Sequence, residues 1–493
     1  MSLVEYFKKI SKGEFLFLAF IFLSVFMVEG WLAYIWNEKG VFSQYDVLFS
    51  ADIPAYIGSF TVKEYPHWVN SFPNHPIVFF VLLIVRFTNM IVGFFNVFDS
   101  QKTLFVLGLS VIPFASALKF SLLFVVFRLL KFSFFHAVFL VLLSVFSFSA
   151  LIFGSIPESY GLTAFSCVLV LLFFVSYSFS NKYYDFIGLC FSGSVLLMAA
   201  PTNLFYLGLL YFFFNYFQQK KGVFISGMKA SILCLSILFF TSIFLFSFNE
   251  YQIYVVTNPN LDRQNIRVED LIRHEKAYYY TNESQNYAQR FFQYVVRGDS
   301  KSNHIYGPPE EIDSRSVAQK MQSILDSPQY LARTIIPTMP ESVEFGCCFS
   351  CNVINMNCPY KHTFAYKDSQ SFSLILALSF CAVFVLCVGV YASVRQNNIL
   401  KIIGLSSFFN IIFYVYVCSF IVNTVEFYLY SQLWHISLIF LIAVCIFYFS
   451  FFETKLGKLT LVVVVLLMIV GDIHVLNNMF DELDRVRIDY AQK

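Results

Sequence analysis

Charge is scarce in this chain. Asp, Glu, Lys and Arg make up 13% of its 493 residues, against roughly 25% in an ordinary soluble domain. The net charge is only +2, so no basic surface marks nucleic acid as a partner. There is no Walker-type phosphate loop and no dinucleotide fingerprint, which argues against an enzyme of soluble nucleotides. The first apolar run lacks a small-residue cleavage site, so it is expected to stay as a membrane helix and not to leave as a signal peptide. No internal repeat of the inverted-transporter kind is visible.

What is abundant is apolar surface. Hydrophobic residues account for 58% of the chain and mean hydropathy is +0.67. There are 64 Phe and 30 Tyr. Aromatic side chains fill helix interfaces and line membrane–water boundaries, so their number is a signature of lipid solvent more than of a sugar site. The chain reads as an all-α polytopic membrane protein in three parts. Residues 1–248 form a membrane block with a first outer loop at 37–103. Residues 249–370 form a polar outer loop, and residues 371–493 form a second membrane block with a short outer tail.

Sidedness follows from lysine and arginine. Lys8, Lys9 and Lys12 place the N-terminus in the cytoplasm. Arg128, Lys131, Lys182, Lys220, Lys221, Arg395, Lys401, Lys455 and Lys458 mark further inner loops. All of these agree if the apolar stretch 77–98 does not cross but lies at the outer surface, or dips in and returns. Arg86 near its centre favours that placement, because charge at mid-bilayer is costly. The expected count is then about 11 crossings, with the large loop and the C-terminus outside. Lys119 is expected to snorkel inward. His435, Asp472 and His474 lie near outer helix ends and are expected to face head groups.

Carboxylate spacing carries the functional expectation. Asp46 and Asp52 follow the first span, and Glu158 lies at the second outer loop within Pro157-Glu158-Ser159-Tyr160. All share one face of the membrane under this topology. Transfer of a phosphate-linked sugar needs a base for the acceptor hydroxyl. It also needs positive charge, from basic side chains or from Mg²⁺ or Mn²⁺, on the departing phosphate. Asp52 is the candidate base, and Glu158 would position the acceptor or a metal. Asp46, His75, Tyr160, Asn203 and Arg86 are candidate substrate contacts. The plainer readings are a turn or cap for Asp52, a solvated loop carboxylate for Glu158, and a helix start at His75-Pro76, where Pro needs no further reason. Pro201-Thr202-Asn203 reads as a helix-breaking turn.

The order of these elements resembles the GT-C superfamily of polytopic glycosyltransferases, which includes lipid A aminoarabinose transferases and protein O-mannosyltransferases. The resemblance covers about the first 220 residues. An acidic outer loop follows the first span, a His-Pro pair opens an apolar surface helix, and a second acidic motif holds Glu158. His75-Pro76 is similar to a His-Pro-Pro opening, with Ile77 in place of the second Pro. Thr202-Asn203 stands where many relatives have Thr-Lys. The resemblance implies a GT-C-like helical bundle, a catalytic Asp at Asp52, and a sugar donor carried on polyprenyl phosphate in the bilayer. It also implies a glycan, lipid-linked glycan or protein acceptor and an inverting reaction. The bacterial inner membrane is the favoured location. The chain's size also suits phage-type O-antigen glucosyltransferases, although no motif specific to them is present. The rival readings are a transporter or flippase of a lipid-linked sugar, and a non-catalytic scaffold.

Cys347, Cys348, Cys351 and Cys358 lie within 12 residues of the outer loop. On an oxidising side they most simply form two disulfides, with pairing undetermined. Zinc with His362 is the alternative. The seven other cysteines lie in apolar spans and read as small buried hydrophobes. Asn282-Glu283-Ser284 is a glycosylation sequon, meaningful only in a eukaryotic lumen. The stretches 270–276 and 316–326 are expected to be short amphipathic helices of a loop that caps the membrane block.

Overall fold

The computed structural model describes residues 2–43, 48, 77, 84, 88, 100–220, 222–238, 317–344, 362–366, 372–396, 399–420, 428 and 430–491. Asp46, Asp52, His75, Arg86, the four loop cysteines, the sequon and the 270–276 stretch lie outside the described residues.

The chain begins with two capping boxes. Ser2 and Glu5 start α1 (Leu3–Lys9), and Ser11 and Glu14 start α2 (Lys12–Glu38). In each, the serine hydroxyl and the glutamate three residues on satisfy each other's backbone N–H. Helix α2 buries Ile21, Val25, Glu29, Leu32 and Trp36, a stripe at helical spacing. Its other faces expose Phe15, Phe20, Met27 and Trp31, as a helix bathed in lipid would. Gly40 follows at φ 78, a left-handed turn that glycine adopts without a Cβ penalty.

Helix α3 (Ser100–Leu129) returns antiparallel to α2. Arg128 Nε meets Glu14 Oε1 at 2.6 Å, so the end of α3 lies at the start of α2. The end of α2 and the start of α3 therefore lie at the same end of the bundle. The stretches α4 (Phe134–Val145) and α5 (Phe148–Ser155) are bent by 62° at their junction. Then come α6 (Ser159–Ser180), α7 (Tyr183–Ala199), a 3₁₀ turn at Pro201–Asn203, α8 (Leu204–Gln218) and α9 (Val223–Leu238). The expected helix-breaking turn at Pro201-Thr202-Asn203 is present.

Helix α10 (Val317–Ile335) lies in the polar region. It begins one residue after the expected start at 316 and runs nine past the expected end at 326, through Pro328. Strands β1 (Glu341–Glu344) and β2 (His362–Ala365) pair antiparallel, with Glu341 opposite Ala365 and Glu344 opposite His362. The chain then forms α11 (Phe372–Arg395), α12 (Ile399–Phe420), α13 (Ser431–Tyr448) and α14 (Lys455–Ala491).

Among the described residues, seven helices (α2, α3, α6, α11, α12, α13 and α14) are long and apolar enough to cross a membrane, or eight if α4 and α5 are one broken span. The protein is a helical, multi-pass membrane protein. Helices α7, α8 and α9 are shorter than the usual crossing length.

The bundle has two unlike ends. At the basic end, Lys182 pairs with Glu5 at 2.8 Å and Arg128 with Glu14. His136 reaches the carbonyl of Phe452 at 3.0 Å and Glu453 at 3.4 Å, and Lys458 also faces Glu453. Burial and the charge-bearing partner at Glu5 act in opposite directions; the hydrogen bond from Lys182 is the larger and holds the Glu5 carboxyl below its ordinary range. At the distal end, Trp36 packs on Phe480 with centroids 4.7 Å apart and donates to Ser155 Oγ at 3.1 Å. Lys39 meets Asp484 there at 2.6 Å.

Three expectations need correction. Lys119 does not snorkel: it is 1% exposed, with Nζ 4.2 Å from the Phe120 ring centroid. It lies about two and a half turns from Arg128, too deep for its stem to reach the helix end. His435 and Asp472 do not face head groups but are buried, because α13 and α14 turn them towards the bundle. His474 is exposed, and Asn478 lies 3.1 Å from its Nε2. Of the seven span cysteines, Cys167, Cys190 and Cys418 are buried, whereas Cys381 and Cys387 are exposed on α11.

Candidate functional site

Glu158 ends the turn between α5 and α6 and caps α6. Its backbone is extended (φ −146, ψ 147), and Oε1 accepts from the Ser159 amide at 2.8 Å and the Ser159 hydroxyl at 3.2 Å. The first amides of a helix favour a carboxylate at that position. The residue is 2% exposed, so it is not the solvated loop carboxylate of the plainer reading. Two residues on, the Tyr160 ring packs edge-on against Tyr430, with centroids 5.2 Å apart.

From Tyr430 a series of aromatic rings leads to a buried cation. Tyr428, in the same turn, packs on Phe153 of α5 at 5.9 Å and on Tyr366 at 5.0 Å. The Arg333 guanidinium lies 4.3 Å from the Tyr366 ring centroid, a cation–π contact. Arg333 belongs to the buried half of α10. Its Nη2 donates to Gln329 Oε1 at 3.0 Å, and the next residue, Thr334, accepts from Trp434 Nε1 at 3.0 Å. Thus α10, although it lies in the polar region of the sequence, is keyed into α13. Burial pulls the Arg333 guanidinium down from its ordinary value, yet an arginine stays charged in proteins. Burial raises the phenols of Tyr366 and Tyr428, and the charge of Asp472 adds to that in both. Both therefore keep their O–H at neutral pH, and Tyr366 donates to the Thr338 carbonyl at 2.9 Å.

Asp472, on α14, completes the group. It is 2% exposed, and neither carboxylate oxygen has a hydrogen-bond partner among the described residues. The hairpin that holds Tyr366 also meets the first loop: Leu48 forms a parallel bridge with Phe364, and both are buried. Leu48 is four residues before Asp52 in the sequence. Sequence reasoning missed Arg333 and Asp472. Nothing local distinguishes Arg333 from the other loop arginines, and Asp472 resembled an interfacial residue at a helix end.

Asn203 belongs to a different contact. Its Oδ1 accepts from Tyr414 Oη at 2.7 Å, and its Nδ2 donates to the Leu196 carbonyl at 3.1 Å. Thr202 Oγ1 lies 3.2 Å from the same phenol. These bonds fasten the turn after α7 to α12.

A second polar group lies within the crossing helices. Glu29 of α2 is 1% exposed. Its Oε1 accepts from Ser116 Oγ at 3.0 Å, while Oε2 has no hydrogen-bond partner among the described residues. Lys119, one turn along α3 from Ser116, is also buried. His435 on α13 is fully buried, with Nε2 2.8 Å from Ser147 Oγ at the α4–α5 bend and 3.4 Å from Ser144 Oγ; Nδ1 has no partner among the described residues. An ionisable residue inside a membrane span is a functional candidate by default. The position of Glu29, mid-way along an apolar run, was the signal that could have found it.

Comparison of the sequence with protein-family models and with curated proteins finds no match.

Proposed function

We propose that this protein is a membrane glycosyltransferase that moves a sugar from a polyprenyl-phosphate carrier to a glycan, lipid-linked glycan or protein acceptor. The observation that carries this reading is the gathering of two buried carboxylates and one buried guanidinium, Glu158, Asp472 and Arg333, along a series of tyrosines at the distal end. In such a transfer the acceptor oxygen attacks the anomeric carbon, and the bond from that carbon to the phosphate oxygen breaks. The acceptor proton goes to a base, and the phosphate leaves with the bonding electrons, stabilised by positive charge. Asp52 is the base in this reading, Arg333 is the described cation, and Glu158 positions the acceptor. Asp46, His75 and Arg86 would contact the donor head group, and Tyr160 would line the acceptor side. Direct attack inverts the anomeric centre.

A divalent cation could share the charge on the phosphate. Among the described residues no three His, Cys, Asp or Glu side chains come together, and Arg333 is the described positive charge for that role. The basic end is cytoplasmic in this reading. With α7, α8, α9 and the bent α4–α5 pair counted as crossings, the total reaches about 11 spans, and the polar loop and C-terminus face outward at the bacterial inner membrane.

Glu29, Lys119 and His435 favour a second reading. Ionisable groups on three different crossing helices are what a carrier of lipid-linked sugar would use. Mass spectrometry of surface glycans separates the two. A glycan heavier by one sugar with the wild type, and reduced roughly 10²- to 10⁴-fold by a normally expressed Asp52→Asn, supports the transferase. A mass change that survives Asp52→Asn and Glu158→Gln but is lost in Glu29→Gln supports the carrier instead.

A further inference from the structure

We propose that Asp472, Tyr366 and Tyr428 form a subsite for the hydroxyl groups of a sugar whose phosphate faces Arg333. The proposal takes the donor of the transfer above as its ligand and rests on that reading.

The starting observation is the pair of Asp472 oxygens, both buried and both without a hydrogen-bond partner among the described residues. Buried polar groups in native proteins are almost always satisfied, and exceptions call for an explanation. Protonation does not remove the problem: a neutral carboxyl still offers a donor and acceptors that nothing meets. Nothing among the described residues fills that place, which leaves both oxygens open to a ligand.

The surroundings narrow its chemistry. Across the tyrosines lies the Arg333 cation, 4.3 Å from the Tyr366 ring centroid. Among the described residues no three His, Cys, Asp or Glu side chains come together to hold a metal ion. A carboxylate with two free oxygens accepts well from two adjacent hydroxyls. The neighbouring rings, 5.0 Å apart and inclined at 76°, offer an apolar wall and two phenol groups, surfaces that suit a ligand with both apolar and polar faces. On the far side of Tyr366, Arg333 offers the planar donor fork that matches phosphate. A neutral polyol at one end and a phosphate at the other describe a glycosyl phosphate.

Asp472 is also held firmly in place. A Cβ built on the preceding Gly471 would lie 2.6 Å from Pro337 Cγ, so α14 packs directly on the segment that follows α10.

The test uses the full-length protein in detergent and four probes, the 1-phosphates of glucose, galactose, mannose and N-acetylglucosamine, with inorganic phosphate as control. The expected result is that at least one sugar phosphate binds the wild type and binds Asp472→Asn about 10- to 100-fold more weakly. Inorganic phosphate should bind both alike and be lost in Arg333→Gln. Asp472→Leu should unfold at a higher temperature than the wild type while losing the sugar phosphate, because it removes an unsatisfied buried group. If no probe binds the wild type, or if binding is the same in Asp472→Asn, the subsite is overturned. Failure of the transferase reading looks different: sugar-phosphate binding that depends on Asp472, with no Asp52-dependent change in any glycan. Asp52-dependent transfer with binding indifferent to Asp472 removes the subsite alone.

Discussion

The Glu29 carboxylate fits because residue 154 has no side chain. A Cβ on Gly154 would lie 2.4 Å from Glu29 Oε1 and 2.6 Å from Oε2. Gly154→Ala must therefore push the carboxylate aside and break its bond from Ser116. The expected cost is about 1–3 kcal/mol of stability, the value of a hydrogen bond to a charged or buried polar group, read by thermal unfolding in detergent. The same substitution in a Glu29→Ala background should cost little, since the obstructing group is gone. Equal costs in both backgrounds would place the strain elsewhere. Sequence exposed Glu29 as an acid in an apolar run. It could not show that Gly154, 125 positions later, makes the room for it.

At the scale of elements, two ion pairs at the basic end look alike in the sequence and differ in weight. Arg128 and Glu14 have side chains 26% and 10% exposed, and Arg128 also donates to the Phe132 carbonyl. They clamp the start of α2 to the end of α3. Lys182 and Glu5 are 43% and 47% exposed, where water and salt screen the pair. Arg128→Ala is expected to destabilise by roughly 1–3 kcal/mol, and Lys182→Ala to leave unfolding nearly unchanged in ordinary salt. The small contribution of Glu5 has a definite sign. Its carboxyl is held low, so the contribution is present at neutral pH and fades as pH falls through the carboxylate range. Unfolding of both variants at two salt concentrations checks the contrast. A loss in Lys182→Ala as large as in Arg128→Ala would contradict it.

For the whole molecule, antiparallel packing fixes which residues share an end. Lys39 meets Asp484 at one end, while Lys182 meets Glu5 and Lys458 faces Glu453 at the other. Single cysteines at positions 39 and 484, in a background without the native cysteines, should react with an impermeant maleimide from one side of a sealed membrane. Cysteines at 182 and 458 should react only from the opposite side, which is the cytoplasm in the proposed orientation. Labelling of all four from one side would rule out the packing.

Much of this molecule is legible without coordinates, because lipid solvent acts on composition and on local runs of residues. The multi-pass helical class, the grouping of lysines and arginines at one end, the turn at Pro201–Asn203 and the amphipathic start of α10 all follow from short-range patterns. Burial of single polar groups does not. Lys119, His435 and Asp472 read as residues bound for an interface, and Arg333 as one loop arginine among several. Each is enclosed by segments distant in sequence: Ser147 meets His435, Trp434 keys the helix of Arg333, and Pro337 packs against Gly471 beside Asp472. Hydropathy depends on a residue and its neighbours along the chain. The face that a residue turns inward, and the group it meets there, depend on how the helices pack against one another, and that is a property of the tertiary structure alone.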